Sequence, residues 1–194
     1  MNTEFSFISH GLNKKILIAE AYFMNAHVGL NHVVKLLKGE AFFDTNTNII
    51  IPILHNISHG LEMFLKGIYS YINKTDDFKE IRKLGGPNGH HLTPMYNKVL
   101  ESLRDYSFKN SYHRNTIIGA YQYLVNQLSD VIDLADDDNA TIVFRYGEST
   151  KVSEYSFIAE EDSILIDISH VNVTFFALRD IMKVITTFLY SNEV

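Results

Sequence analysis

This chain has no cysteine, which excludes disulfides, zinc–thiolate sites and thiol catalysis together. Positive charge is also short. Its 17 Lys and Arg face 23 Asp and Glu, for a formal net charge of −6. That balance argues against a broadly basic nucleic-acid-binding surface, although a small basic groove, or one assembled in an oligomer, stays compatible with it. Long apolar runs are missing as well. The most apolar, Ile49 to Leu54, is interrupted by Pro52 and is far too short to span a bilayer. The opening segment, Met1 to Phe7, lacks the basic start and apolar stretch of a signal peptide, so a cytoplasmic location without a membrane partner is expected.

Several catalytic signatures are absent too. The loop Gly85-Gly86-Pro87-Asn88-Gly89 lacks the Gly-Lys-Ser/Thr ending of a phosphate-cradling loop, and no Gly-x-Ser-x-Gly elbow occurs. The acidic run of Asp130, Asp133, Asp136, Asp137 and Asp138 does not follow the ligand spacing of a calcium-binding EF-hand loop, and reads as a solubilising helix end. No cofactor is expected. The 11 tyrosines and 13 phenylalanines sit mostly at core spacing rather than forming base-stacking platforms.

What remains is ordinary globular composition, 46% hydrophobic and 21% charged, in a chain of 194 residues. No repeat, low-complexity tract or linker divides it, so a single domain over residues 1–194 is expected. Apolar residues recur at three- and four-residue spacing from about Asn13 to Leu37, and Gly39 ends the pattern. A second helix is predicted from about Asn48 to Asn73, burying Ile50, Leu54, Ile57, Leu61, Leu65, Ile68 and Ile72, with Pro52 in its first turns. A short helix near Asp77 to Leu84 leads into the Gly-rich loop. Thr93-Pro94 then reads as N-cap and first residue of the next helix. A long helix over Asn115 to Leu134 should turn Ile118, Tyr121, Leu124, Val125, Leu128 and Ile132 inward. Thr141 to Tyr146 and Ser153 to Ile158 alternate like the strands of a hairpin, and Ile164 to Ile168 could add a third strand. A last helix from about Asn172 to Tyr190 completes a mainly α fold: a helical bundle with a β-hairpin at about 140–168, inserted before its final helix.

His55, His59, Glu62 and Lys66 share one stripe of the second helix, roughly opposite its apolar face. Three readings are open. The stripe can be a solvated face in which Glu62 and Lys66 form a surface pair of about 0.2–0.5 kcal/mol. It can be covered by the Gly-rich loop and His90-His91, in which case a buried Glu62–Lys66 pair needs further hydrogen bonds and a histidine can supply them. It can also be a metal site on His55, His59 and Glu62, with His90 as a fourth ligand, although the His-Glu-x-x-His pattern of zinc proteases is not present.

The run His59-x-x-Glu62-x-x-x-Lys66, followed by Gly89-His90-His91-Leu92 at the start of the next helix, resembles the HEPN superfamily, in particular its uncharacterised bacterial members. Phe144-Arg145-Tyr146-Gly147 on the predicted hairpin is similar to the Arg-Tyr strand of such proteins, and the resemblance covers the chain from about residue 48 onwards. It implies an antiparallel helical bundle that often dimerises. Many members are RNA endonucleases of toxin–antitoxin or phage-defence systems; others are non-catalytic binding or dimerisation modules. The catalytic members use an Arg, four to six intervening residues and a His. None of Arg82, Arg104, Arg114, Arg145 and Arg179 meets that spacing, and Arg82 to His90 is the nearest approach.

The leading expectation is therefore a homodimeric, non-catalytic HEPN-like module for a partner protein or RNA, set in bacterial defence or toxin regulation. His59, Glu62, Lys66 and His91 would form a binding or structural pocket around the loop. The rival is a metal-independent RNA endonuclease using Arg82 and His90. A third reading is a metal-dependent hydrolase on His55, His59 and Glu62.

Overall fold

A computed structural model describes residues 14–37, 45–87, 89–132 and 168–191, and all of its regular structure there is helical. Among the described residues six helices follow one another: α1 (Lys14–Leu37), α2 (Thr45–Asn73), α3 (Phe78–Lys83), α4 (Leu92–Asp105), α5 (Ser111–Ile132) and α6 (Ile168–Ser191). The chain is a mainly α bundle, and no described helix is long and apolar enough to cross a membrane. The predicted hairpin at about 140–168 lies outside the described residues, apart from its last residue, Ile168, which opens α6.

The centre of the bundle is α2. The apolar row expected to be buried is buried wherever its side chains are described: Leu54, Ile57, Leu61, Leu65, Ile68 and Ile72. Its other faces are covered too, because Phe64, Tyr69, Ser70 and Glu62 are buried as well. The helix begins a turn earlier than its pattern suggested, so Pro52 lies inside it rather than in the opening turns.

Helix α1 packs antiparallel to α2 at very short range. A Cβ on Gly60 would fall 2.8 Å from the Phe23 ring, and one on Gly67 would fall 2.6 Å from Ile16 Cγ1. Such approach needs glycine, since any side chain there would push the helices apart.

Two helix starts differ from expectation. Helix α4 starts at Leu92, with His91 as its extended N-cap residue, instead of at Pro94 with Thr93 as cap. Pro94 then occupies the third helical position, where an amide has no intrahelical partner to lose. Helix α5 starts at Ser111, four residues before the expected Asn115, because Asn110 Oδ1 accepts from the His113 amide at 2.9 Å. In α5 Tyr121 and Leu124 are fully buried as expected, Ile117 joins them, and Ile118 is only partly buried.

Helix α3 and the Gly-rich loop carry the chain back along α2, so that α2 and α4 run in the same direction. Glu62 and Lys66 accordingly meet His90 and Gly89 near the start of α4, and Asn73 meets Ser102 near its end. The return of α3 begins at Asp77, whose carboxylate accepts from the Lys79 amide at 2.8 Å.

Candidate functional site

Four of the residues singled out in the sequence converge where this return loop lies on α2. Glu62 is 1% exposed. Its Oε1 accepts from Lys66 Nζ at 2.7 Å and from His90 Nδ1 at 3.0 Å, and its Oε2 lies 3.4 Å from His59 Nδ1. A carboxylate beside an ammonium can only accept, so the His90 ring carries its proton on Nδ1. Lys66 makes a second bond, to the Gly89 carbonyl at 2.9 Å. One ammonium thus joins α2 to the loop directly, and one carboxylate joins it through His90. These exposures overturn the solvated-face reading: the Glu62 side chain is 2% exposed and that of Lys66 12%, so this is no surface pair.

The loop that delivers His90 is built by glycines. Gly86 and Gly89 take positive φ of 71° and 78°, a region that side-chain-bearing residues rarely enter. Gly85 packs against the loop's own return, where a Cβ would stand 2.3 Å from the Gly89 carbonyl carbon. Backbone bonds from the Gly89 amide to the Gly86 carbonyl and from the His91 amide to the Gly85 carbonyl close it.

The remaining candidates fall elsewhere. His91 is the N-cap residue of α4 and holds the loop through its backbone; no described bond ties its side chain to Glu62 or Lys66. Its ring lies against the loop, where a Cβ on Gly86 would stand 3.2 Å from His91 Cδ2. His55 stacks on His59, with ring centroids 5.9 Å apart and planes at 11°, while Tyr22 from α1 meets the His59 ring edge-on at 4.5 Å. Among the described residues, no group of three His, Asp or Glu side chains could hold a metal ion, so His55, His59 and Glu62 do not form the expected ligand set. Arg82 is exposed on α3 with its stem against Gly89: a Cβ there would be 2.7 Å from Arg82 Cγ. No described bond links Arg82 to His90. Arg145 and Tyr146 lie outside the described residues.

A second polar group, which the sequence did not announce, braces the start of the return. Tyr69 donates to Glu80 Oε1 at 3.0 Å, and Thr75 Oγ1 donates to Glu80 Oε2 at 2.9 Å. Burial of Tyr69, and then its bond to Glu80, raise its phenol above the ordinary 10.0. Asp76, fully exposed, is held below the usual carboxylate range by its bonds from Ser70 and Lys15. The turn from α2 into α3, together with Lys15 of α1, brings these residues together, and no periodic pattern in the sequence marks them.

The geometry therefore does two things chemically. It holds a carboxylate in a nearly dry site, surrounded by donors, and it fixes one imidazole by its Nδ1–H. The chain matches no protein-family model, and no match is found for it among curated proteins or solved structures.

Proposed function

We propose that the chain is a HEPN-like, non-catalytic interaction module, working as a homodimer on a partner protein or RNA in defence or toxin regulation. The observation that carries this reading is the use of the ionisable stripe. The polar atoms of Glu62 and Lys66 are directed at α2 and the loop rather than at a cleft, with distances of 2.7–3.0 Å typical of strong hydrogen bonds. On this reading the cluster fixes the shape of the loop and of the surface beside it, and that surface meets the partner. The setting rests on the resemblance alone.

The endonuclease reading stands second, favoured by one feature. A histidine held by a buried carboxylate through Nδ1 has its tautomer set, and Arg82 lies beside the same loop. The test is direct. The purified chain is incubated at high concentration with single-stranded and structured RNAs in EDTA, and its mass is measured by sedimentation velocity. A dimer that leaves every RNA intact is the expected result. Cleavage abolished by His90→Ala overturns the module and installs the Arg82–His90 nuclease. A monomer at all concentrations removes the self-association.

A further inference from the structure

Away from the loop, helices α1 and α6 and Phe64 of α2 border a half-open cavity of about 260 Å³. Its walls are apolar: Ile16, Ala19 and Phe23 from α1, Phe64 from α2 and Met182 from α6. Its mouth is charged, with Arg179 and Lys183 one turn apart on α6 and Glu20 facing them from α1. We propose that this seam is a binding site for a small amphiphile with an anionic head, of which a medium-chain carboxylate is the simplest form.

Three observations support it. First, the walls are fixed from behind. Phe23 and Ile16 are pressed against Gly60 and Gly67 of α2, where a Cβ would lie within 2.8 Å of either side chain, so the α1 wall of the cavity is seated tightly on α2. A cavity that survives in a close-packed bundle leaves its lining without contacts that a ligand can supply.

Second, the chemistry is segregated. An apolar interior with convergent polar groups at one end is the usual form of a small-molecule site, and gaps between bundle helices are a common place for one. The size suits a short chain: 260 Å³ is just under the usual range of about 300–1,000 Å³ for ligand pockets.

Third, the rim has a sign. Among the lining residues two cations oppose one carboxylate, and the Arg179 guanidinium is positioned by the Phe176 ring, 6.0 Å from its centroid. Lys183 makes an exposed contact of 3.9 Å with Asp180. A carboxylate head seated between Arg179 and Lys183 gains both.

The experiment uses the full chain with three eight-carbon probes, sodium octanoate, octan-1-ol and octylamine, in titration calorimetry. Octanoate is expected to bind once per chain and more tightly than the alcohol, with the amine weakest. Arg179→Met and Lys183→Met remove a charge but keep the apolar stem. Each is expected to weaken octanoate by up to about tenfold while leaving octanol unchanged. Glu20→Gln is expected to tighten octanoate. The proposal is overturned by any of three results: no saturable octanoate binding, equal binding of all three probes, or octylamine binding best and losing affinity in Glu20→Gln. All three variants lie at the mouth of the cavity, so the native fold supports the comparison.

Discussion

Replacing Glu62 with methionine isolates the cluster that holds the loop. The substitution keeps volume and removes the acceptor of two bonds, from Lys66 at 2.7 Å and from His90 at 3.0 Å. Breaking a buried pair by deleting one partner costs about 3–5 kcal/mol, because the other charge stays behind without compensation. Two features reduce that figure. Lys66 retains the Gly89 carbonyl, and the His90 side chain, 36% exposed, can take water in place of the carboxylate. The expected loss is therefore about 3 kcal/mol, the lower end. In a domain of this size each kcal/mol moves Tm by about 2–4 °C, so Tm should fall by roughly 6–12 °C in calorimetry.

The double variant Glu62→Met/Lys66→Met separates charge from position. An apolar pair of similar volume is often neutral relative to a buried ion pair, so most of the lost Tm should return. The Gly89 carbonyl nevertheless loses its donor in the double variant. Amide exchange at Gly89 and His91, whose hydrogens close the loop on Gly86 and Gly85, should accelerate in both variants. A Tm within about 1 °C of the parent for Glu62→Met, with loop exchange unaltered, would falsify the claim that this cluster holds the loop on α2.

Two further predictions follow from the same geometry. Gly85→Ala should destabilise by at least about 2 kcal/mol in urea unfolding, because its Cβ would press on backbone at 2.3 and 2.5 Å. Gly119→Ala, in exposed helix with nothing within 4 Å, should instead stabilise by about 0.5–1 kcal/mol; equal effects would show that the loop tolerates what the distances forbid. Burial raises the phenols of Tyr96 and Tyr121, and burial with Glu80 raises that of Tyr69. Their contribution is thus intact below pH 10.0, and is lost as pH rises and the unfolded chain releases its protons first. The Tyr96 hydroxyl is buried with no described hydrogen-bond partner. Tyr96→Phe should therefore match or exceed parental Tm at pH 7 and flatten the alkaline loss of stability, whereas a clear drop at pH 7 would reveal a bond to that hydroxyl.

The helices were legible because burial imposes a period. The row from Leu54 to Ile72 repeats every three or four residues, and all its members with described side chains are buried. Boundaries set by a single cap were not legible. Asn110 starts α5 through one side-chain bond, and His91 displaces Thr93 as the cap of α4, neither of which leaves a periodic trace. The stripe of His59, Glu62 and Lys66 could be read as one helix face, since its spacing is local. Whether that face met water or protein could not, because the answer depends on a segment more than twenty residues away in the chain.

From the sequence alone came the absence of thiol chemistry, the helical class, the core face of α2 and the grouping of ionisable residues on its other side. The tertiary structure alone decided that α3 folds the chain back along α2, and that three glycines let the loop approach closely enough for Gly89 and His90 to reach Lys66 and Glu62. The physical reason is one of range. Helical periodicity is written in neighbours three and four apart, while the burial of Glu62, and the cavity between α1 and α6, are set by contacts between residues remote in sequence.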